Sequence, residues 1–249
     1  MFNFFVEETN RQGNTFYIYG SDFNHIKNVL RMREGEQILV SCKGVSNLCV
    51  IAGFDMDCIK AEITEENFQD TSLPVEIYLF QGLPKSDKME LIIQKTVELG
   101  VDCIVPVEMS RCVVKLEEKK KQSKVSRWQS IAESAAKQSK RTVIPVINDV
   151  LSYKNALKKM QEMDIVLLPY ENKEGMVSTK NALSKIKSGM KVGIVIGPEG
   201  GFEESEVSAA EEIGALTVSL GKRILRTETA AITAVGMCML HCEMNEDSI

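Results

Sequence analysis

The chain has 249 residues and a net charge of −5, with 44% hydrophobic and 26% charged residues. This balance is ordinary for a globular protein and leaves room for one large domain or two smaller ones. No apolar run approaches the roughly 20 residues that span a bilayer, and the N-terminal MFNFFVEETN lacks the basic start and apolar core of a signal peptide. We therefore expect a cytoplasmic protein without a membrane partner.

Residues 1–70 contain five short β-type runs, FFVEE, TFYIYG, QILVSC, NLCVIAGF and CIKAEIT. Their spacing is typical of a small barrel or sandwich. One helical segment, DFNHIKNVLRMREG, interrupts them, and its predicted buried side carries Ile26, Val29 and Leu30. The polar residues in or beside this segment fit nucleic-acid contact and a plain solvated face equally well. The candidates for nucleic-acid contact are His25, Arg31 and Arg33.

After TEENFQDTSLP, strands alternate with helices. VEIYLFQGL reads as a buried strand, and DKMELIIQKTVELG as an amphipathic helix with Ile92 and Val97 on its inner face. Further strand candidates are VDCIVPVE, TVIPVI, DIVLLPY, KVGIVIG and LTVSLG. Such alternation predicts an α/β domain with a largely parallel sheet covered on both faces. We place the domain boundary near Ser72, which gives a β domain over 1–72 and an α/β domain over 73–249.

A long helix predicted from about Glu118 to Ser139 concentrates positive charge. Residues 111–141 hold ten Lys or Arg against three acids, a net charge of +7, which leaves −12 on the other 218 residues. A basic stripe on an acidic chain can bind a polyanion locally, because phosphate contacts act within a Debye length of about 8 Å. A solvated helix face explains the same charges.

The stretch IGPEGGF lies between a strand that ends near Ile196 and a helix that starts near Glu203. In open α/β sheets, ligands bind beyond the carboxyl ends of the strands. The stretch is neither GxGxxG nor a Gly-Lys-Ser/Thr loop, and its several glutamates repel phosphate, so an uncharged or cationic ligand is favoured. Gly200 and Gly201 permit positive φ and a close backbone approach, which a tight turn alone would also require.

A second stretch, LGKRILRTETAA, follows the next strand. Gly221 gives a turn, Thr227 is placed to cap a helix, and the helix dipole accounts for Glu228 in the first turn. Arg226 has no comparable structural reason. An arginine at the carboxyl end of a strand, beside a second flexible loop, indicates a functional group.

Seven cysteines, without a CxxC pair, lie mostly in apolar runs and read as reduced, buried thiols. The run CMLHC in the last helix places Cys238, His241 and Cys242 at helical spacing. These three groups suit zinc, but no fourth ligand is visible nearby in the sequence. A packed helix is therefore the favoured interpretation.

The pair IGPEGGF and LGKRILRTETAA resembles the RsmE family of SPOUT-class methyltransferases, which methylate N3 of a uridine in 16S rRNA with S-adenosylmethionine. The resemblance covers essentially the whole chain, through HIKNVLRMREGEQILV, KSDKMELIIQKTVELGV and RWQSIAESAAKQSKR followed by IP. Lys222 departs from the family pattern, which more often has another residue there, such as Pro. This departure concerns the local shape of the loop and not the chemistry.

The resemblance implies a PUA-like β-barrel domain that binds RNA (1–72) and a SPOUT α/β domain with a C-terminal trefoil knot (73–249). It also implies a homodimer whose partner is the 16S rRNA of the small ribosomal subunit. S-adenosylmethionine is the methyl donor, and no metal is needed because its sulfonium already activates the methyl group. The donor is expected among LLPYE, IGPEGGF and LGKRILR. The donor-binding residues implied in this way are Leu168, Pro169, Ile196, Gly197, Glu199, Gly200, Leu220, Gly221, Ile224 and Leu225.

Uridine N3 becomes nucleophilic only when its proton leaves, so the enzyme has to stabilise an anion. The resemblance implies that Arg226 has this role and that Glu228 or Glu199 accepts the proton. The basic helix is expected to hold the RNA backbone near the active site. The RNA-binding residues implied there are Lys120, Lys121, Lys124, Arg127, Gln138 and Arg141.

Three alternatives stay open from the sequence. The first is an RNA-binding protein without catalysis, which uses only the barrel and the basic helix. The second is a SPOUT enzyme that modifies a different RNA, such as tRNA. The third is a nucleotide-dependent enzyme, which the missing Walker lysine disfavours.

Overall fold

The computed structural model describes residues 1–170 and 175–245. The chain divides into a first unit, Met1–Ser72 with Ala136–Ile144, and a second unit, Leu73–Ala135 with Pro145–Ile249. The sequence-based division left 136–144 with the α/β part. In the structure this segment groups with the first unit. Its contacts explain why, because the Lys137 ammonium lies 2.8 Å from an Asp22 carboxylate oxygen, and the Asn3 side chain donates to the Arg141 carbonyl at 3.0 Å.

The first unit contains one six-stranded sheet, in the order β1-β4-β5-β6-β3-β2. Its strands are β1 (Asn3–Phe5), β2 (Arg11–Gln12), β3 (Thr15–Tyr19), β4 (Gln37–Cys42), β5 (Val45–Phe54) and β6 (Cys58–Gln69). The β1–β4 pair is parallel and the other pairs are antiparallel. Alternate side chains of β4, Ile38, Val40 and Cys42, enter one hydrophobic core, as the two-residue period of a strand requires.

The predicted helical segment of the first unit is shorter and less regular than its sequence suggests. It consists of α1 (Gly20–Asn24) and a π-helical turn, His25–Val29. The Leu30 amide donates to the His25 carbonyl five residues earlier, at 2.8 Å. Ile26 is buried, but Val29 is exposed, so the predicted buried position of Val29 is wrong. The wider π turn moves Val29 off the face that a regular 3.6-residue period assigns to it.

The second unit is built on seven strands, and every strand pair in it is parallel. The strands are β7 (Glu76–Gly82), β8 (Cys103–Glu108), β9 (Val146–Ile147), β10 (Leu151–Ser152), β11 (Ile165–Pro169), β12 (Lys191–Ile196) and β13 (Leu216–Val218). Their order is β10-β8-β7-β12-β11-β13, with β9 also beside β8. This arrangement confirms the predicted parallel sheet. Strands buried on both faces need continuous apolar runs, which is why KVGIVIG reads as it does.

Six helices belong to or begin in the second unit: α2 (Lys88–Glu98), α3 (Glu118–Gln138), α4 (Tyr153–Met160), α5 (Gly175–Leu183), α6 (Glu204–Glu212) and α7 (Thr227–Met244). The predicted inner face of α2 is confirmed, since Ile92 and Val97 are fully buried. Gly100 follows α2 with a φ of +99°, a conformation that favours glycine. All seven cysteines are free and buried, as predicted. In the two described ranges, we find no helix with the length and apolarity needed to cross a membrane.

The strand order determines where loops can meet. β12 lies between β7 and β11, and β13 lies on the far side of β11. In a parallel sheet the carboxyl ends of neighbouring strands share one edge. The segments that follow β7, β11, β12 and β13 therefore leave the sheet side by side, at what we call the carboxyl edge.

Candidate functional site

The first feature of the carboxyl edge is the glycine loop, residues 197–203, which follows β12. It packs closely on the end of β7, because a Cβ atom built on Gly82 would lie 2.7 Å from the Pro198 nitrogen. Gly201 has a φ of +69°, as predicted for this loop. Gly200 does not have a positive φ, so that part of the prediction is wrong. A glycine is needed at position 200 because Arg111 packs closely against it: a Cβ atom built there would lie 2.9 Å from the Arg111 Cβ.

Arg111, in the segment after β8, anchors the outer part of the glycine loop. Its Nε donates to a Glu203 carboxylate oxygen at 2.9 Å, and its Nη1 donates to the Gly200 carbonyl at 3.1 Å. Glu203 is also the N-cap of α6, in a capping box with Glu206. Glu206 is buried and accepts a further hydrogen bond, at 2.8 Å, from the Ser110 amide. These glutamates therefore serve the local fold.

Lys88, in the first turn of α2, anchors the inner part of the loop. Its ammonium lies 3.0 Å from Glu199 Oε1 and 3.3 Å from Glu228 Oε2. Glu199 Oε1 also accepts a hydrogen bond from the Lys85 amide at 3.0 Å. Burial by itself raises the pKa of Glu199, but the hydrogen bonds from Lys85 and Lys88 outweigh it and hold that pKa below its usual range. Both candidate proton acceptors thus share one ammonium, a link that the sequence did not indicate.

The two carboxylates differ in their remaining contacts. Glu199 Oε1 accepts from both an amide and an ammonium. Glu228 Oε2 is buried and, apart from its ion contact with Lys88, has no hydrogen-bond partner among the described residues. A buried acceptor in this condition can receive a proton or a hydrogen-bond donor from a ligand.

Thr227 and Gln81 form a buried polar link beneath the glycine loop. The Thr227 hydroxyl donates to the Gly197 carbonyl at 2.7 Å and accepts from Gln81 Nε2 at 3.0 Å. Thr227 is thus the first residue of α7 and not its cap, so the predicted cap is wrong; the N-cap residue is Arg226. Gln81 is fully buried, and its Oε1 has no partner among the described residues. In the sequence, the feature that could have indicated this buried polar link is the single glutamine inside the apolar run VEIYLFQGL.

The second feature of the edge is the arginine loop, residues 219–226, which follows β13. Gly221 has a φ of +108° and so gives the predicted turn. Leu220 and Leu225 are half-buried, whereas Ile224 is 87% exposed. The Arg226 side chain is exposed and makes no hydrogen bond or ion pair with any described residue. No described residue uses its charge, in agreement with the expectation from the sequence.

The third feature is the end of β11. Leu168 is fully buried and Pro169 is half-buried. The next residue, Tyr170, donates its amide to the Val218 carbonyl at 3.1 Å, so this segment starts beside the arginine loop. Glu171, the last residue of the predicted LLPYE segment, lies outside the described residues. Leu168, Ile196 and Leu220 thus end or follow three adjacent strands.

The predicted RNA-contacting residues have mixed surroundings. Ion pairs join Lys120 to Glu117, Lys121 to Glu108 and Glu118, and Arg127 to Glu90. Arg141 is only 7% exposed, so its side chain is not freely available at the surface. Five of the predicted residues are exposed or half-exposed and have no acidic partner in the described ranges: His25, Arg31, Arg33, Lys124 and Gln138. Much of the charge that the sequence assigned to one free stripe is therefore neutralised within the protein.

Comparison with known proteins gives a consistent result over nearly the whole chain. Residues 71–239 match the RNA methyltransferase domain family, and residues 18–52 match the RNA methyltransferase PUA domain family. The chain is similar to ribosomal RNA small subunit methyltransferase E of Bacillus subtilis, at 39% identity over 98% of both chains, and to that of Mesomycoplasma hyopneumoniae, at 34% identity over 96% and 99%. A solved structure of a ribosomal RNA small subunit methyltransferase E from Neisseria gonorrhoeae, bound to S-adenosyl methionine, is 34% identical, with a TM-score of 0.81 over 95% and 96% of the two chains.

Proposed function

We propose that this chain, which belongs to the ribosomal RNA small subunit methyltransferase E family, methylates N3 of a specific uridine in 16S rRNA with S-adenosylmethionine as donor. The observation that carries the proposal is the meeting of the glycine loop, the arginine loop and the end of β11 at one carboxyl edge. This edge is where a parallel α/β sheet binds ligands. The family similarity supports methyl transfer to small-subunit rRNA, and the choice of uridine N3 is the finer part of the proposal.

The residues at the carboxyl edge fit S-adenosylmethionine. The donor supplies a methyl group that its sulfonium charge already activates. Gln81 Oε1 is a buried acceptor without a hydrogen bond to a described residue, and the amino and hydroxyl groups of the donor are hydrogen-bond donors. We assign the holding of the donor to Leu168, Pro169, Ile196, Gly197, Glu199, Gly200, Leu220, Gly221 and Leu225. Ile224, which the sequence also placed there, is 87% exposed and is left out of this set.

Proton removal is the first chemical task of this chain. Glu199 is the weaker candidate, because two hydrogen bonds stabilise its ionised form and lower its pKa. Glu228 is the better one, since its buried Oε2 has only the ion contact with Lys88. In our proposal Glu228 takes the N3 proton. The N3 lone pair then forms the N–CH₃ bond as the S–CH₃ bond breaks, and that electron pair returns to sulfur.

Arg226 is the group that stabilises the uridine anion. Its guanidinium is permanently charged and contacts no acidic or hydrogen-bonding partner in the described part of the chain. A preorganised cation at the position where negative charge develops lowers the barrier more than it strengthens ground-state binding. Glu199 then serves to fix the glycine loop and to hold the donor, without a part in proton removal.

We assign RNA binding to the first unit, through residues 1–72, and to the part of α3 that offers free side chains. Lys124 and Gln138 are the members of the predicted basic set on α3 without an acidic partner in the described ranges. His25, Arg31 and Arg33 are the corresponding residues of the first unit. The assignment of methyl transfer to residues 73–249 belongs to the same proposal.

We also propose a homodimer. Ala231, Val235 and Cys238 of α7 are buried within their own unit and are not available to a second copy. The outward row of α7 consists of other residues, of which Leu240 and Met244 are exposed. Large apolar side chains one helical turn apart on a helix surface are suited to bury against a second copy.

The trefoil knot and the cytoplasmic location are further parts of the proposal. The start of α7 contacts Gly197 and Gln81, at the ends of β12 and β7, although α7 follows β13 on the other side of β11. The chain therefore crosses the end of β11 before α7, a path that supports a knotted C-terminal part. Methylation of ribosomal RNA takes place where ribosomes are assembled, which supports the cytoplasm.

The deciding experiment is a nucleoside map of rRNA and tRNA from a strain that lacks the gene. We expect loss of one 3-methyluridine from 16S rRNA and its restoration by the purified protein with S-adenosylmethionine. Loss of a methylated nucleoside from tRNA would instead establish the alternative substrate. A normal map, with no calorimetric binding of S-adenosylmethionine, would establish an RNA-binding protein without catalysis.

A further inference from the structure

Most of the positively charged side chains of α3 form ion pairs within the protein. Lys120, Lys121 and Arg127 each contact carboxylates of this chain. A polyanion that recruits such groups has to replace existing ion pairs, so the net gain is small. The electrostatic attraction for RNA therefore needs a further source.

The acids at the carboxyl edge are also engaged. Glu199 and Glu228 contact the Lys88 ammonium. Glu203 pairs with an arginine, and Glu206 accepts hydrogen bonds from two backbone amides. Because these four carboxylates already have partners, they do not pair with the cations of the neighbouring arginine loop in the described part of the chain.

The arginine loop carries three such cations. The side chains of Lys222, Arg223 and Arg226 are exposed and form no ion pair or hydrogen bond with a described residue. The base of the loop is nevertheless fixed, because Ser219 exchanges two hydrogen bonds with the Thr179 hydroxyl of α5, at 2.8 and 3.0 Å. A fixed loop whose charge no described residue compensates, at the rim of the proposed active site, is placed to meet an incoming polyanion.

Ile224 lies between these cations and is 87% exposed. An aliphatic side chain in the middle of a basic loop matches the wedge residues that nucleic-acid-binding proteins place against or between bases. We propose that the arginine loop is an RNA-docking surface, with Lys222 and Arg223 on phosphates and Ile224 against a base beside the target uridine. This inference rests on the proposed function and moves Ile224 from the donor to the RNA.

The test compares two double charge reversals. Lys222→Glu with Arg223→Glu is expected to raise the KM for unmodified 16S rRNA at least tenfold and to reduce the salt dependence of RNA binding by about 1.4 log units per log unit of salt. The affinity for S-adenosylmethionine, measured by calorimetry, should stay within twofold. The control is Lys185→Glu with Lys187→Glu, an equal charge change on exposed residues that precede β12 and so lie away from the carboxyl edge. An unchanged salt slope in the loop variant, or an equal loss in the control, would overturn the inference.

Ile224 is tested separately. Ile224→Ala should weaken RNA binding without changing donor affinity or the molecular mass by light scattering, and Ile224→Asp should weaken it further. A loss of donor affinity would return Ile224 to the donor pocket, and a change of mass would make it a subunit contact; either result overturns its assignment to RNA. These outcomes are read from binding, so they remain distinct from a failure of the proposed function, in which the wild-type protein binds RNA but methylates none.

Discussion

The Lys88 ammonium lies 3.0 Å from Glu199 Oε1 and thereby joins the first turn of α2 to the glycine loop. The same ammonium reaches Glu228 at the start of α7. Glu228 is adjacent to Thr227, whose hydroxyl returns to the Gly197 carbonyl. The polar contacts of the edge therefore form a closed ring, in which Lys88 connects the loop to the helix.

Loss of Lys88 should open this ring. We expect Lys88→Met to weaken donor binding about two- to fivefold, which is the range for a partly exposed ion pair, and Lys88→Arg to retain most of the affinity. The measurement is calorimetry with S-adenosylmethionine. The matched control is Lys95→Met, which removes an exposed pair with Glu98 on the same helix. Equal effects of the two methionine variants would show that Lys88 has no special role.

The pH dependence of the Lys88 variant gives a second readout. The pKa of Glu199 is lowered in the folded protein, so its contribution to stability is present above the unfolded pKa and is lost as pH falls through the folded value. In Lys88→Met, the hydrogen bond from the Lys88 ammonium no longer offsets the effect of burial, so the pKa of Glu199 rises. Donor affinity of this variant should therefore decline at a higher pH than that of the wild type, on the acid side. Superimposable pH profiles would contradict this account.

Gly200 should not accept a side chain. Gly200→Ala places a Cβ about 2.9 Å from the Arg111 Cβ, so the glycine loop has to shift and donor affinity should fall. Gly236→Ala in α7 is the matched control, because its Cβ would lie at an ordinary 3.6 Å from Leu99. A helix position of this kind is expected to gain up to ~1 kcal/mol of stability. Normal donor binding by Gly200→Ala would remove this part of the loop from the site.

Arg226 should matter for the chemical step. With donor and RNA saturating, Arg226→Ala is expected to slow single-turnover methylation by about 10²–10³-fold, the usual effect of losing one preorganised stabilising group. Arg226→Lys should recover the rate only in part, because an ammonium does not reproduce the planar fork of arginine. Donor affinity should change little. Near-normal turnover of the alanine variant would assign the chemistry to another residue.

Neighbouring lysines of α3 should behave differently. Lys121 is 17% exposed and bridges Glu108 and Glu118, whereas Lys124 has no acidic partner in the described ranges. Lys121→Glu should lower the thermal midpoint, because it places three carboxylates together. Lys124→Glu should weaken RNA binding and leave the midpoint unchanged. The reverse pattern in thermal denaturation and RNA titration would be incompatible with these surroundings.

The outward row of α7 should control assembly. Leu240→Glu with Met244→Glu is expected to convert a dimer to a monomer, since two charges would have to be buried at the interface. Light scattering measures the mass. Met56→Glu, the same type of change on an exposed methionine of the first unit, should have no effect. A wild-type protein that is monomeric at assay concentration would refute the dimer.

The sequence predicted the features that follow from apolar patterning. The parallel sheet, the inner face of α2 and the turn at Gly221 are all present. Apolar runs specify such elements because burial depends mainly on residue type and period. Arg226 is equally visible in sequence, as a charged residue for which local structure gives no reason.

Contacts between distant segments could not be predicted in the same way. Lys88 reads as a polar residue at a helix start, and nothing near it in sequence identifies Glu199 or Glu228 as its partners. Thr227 has the pattern of a cap, but tertiary contact with Gly197 takes its hydroxyl instead. The π turn at His25–Val29 likewise depends on hydrogen bonding that a regular helical period does not describe.

The hydrogen bond between Gln81 and Thr227 has a consequence for synthesis of the protein. These residues are 146 positions apart, so β7 leaves the ribosome long before the helix that completes its end. Pairings over such a separation form late, because the intervening chain has to be closed first. Until α7 is made, the Gly197 carbonyl of the glycine loop lacks its hydrogen bond from Thr227. Arg226, the N-cap residue of α7, is likewise not yet held in place by that helix. The nascent chain can thus acquire its RNA-binding unit first and its proposed methyl-transfer site only near the end of translation.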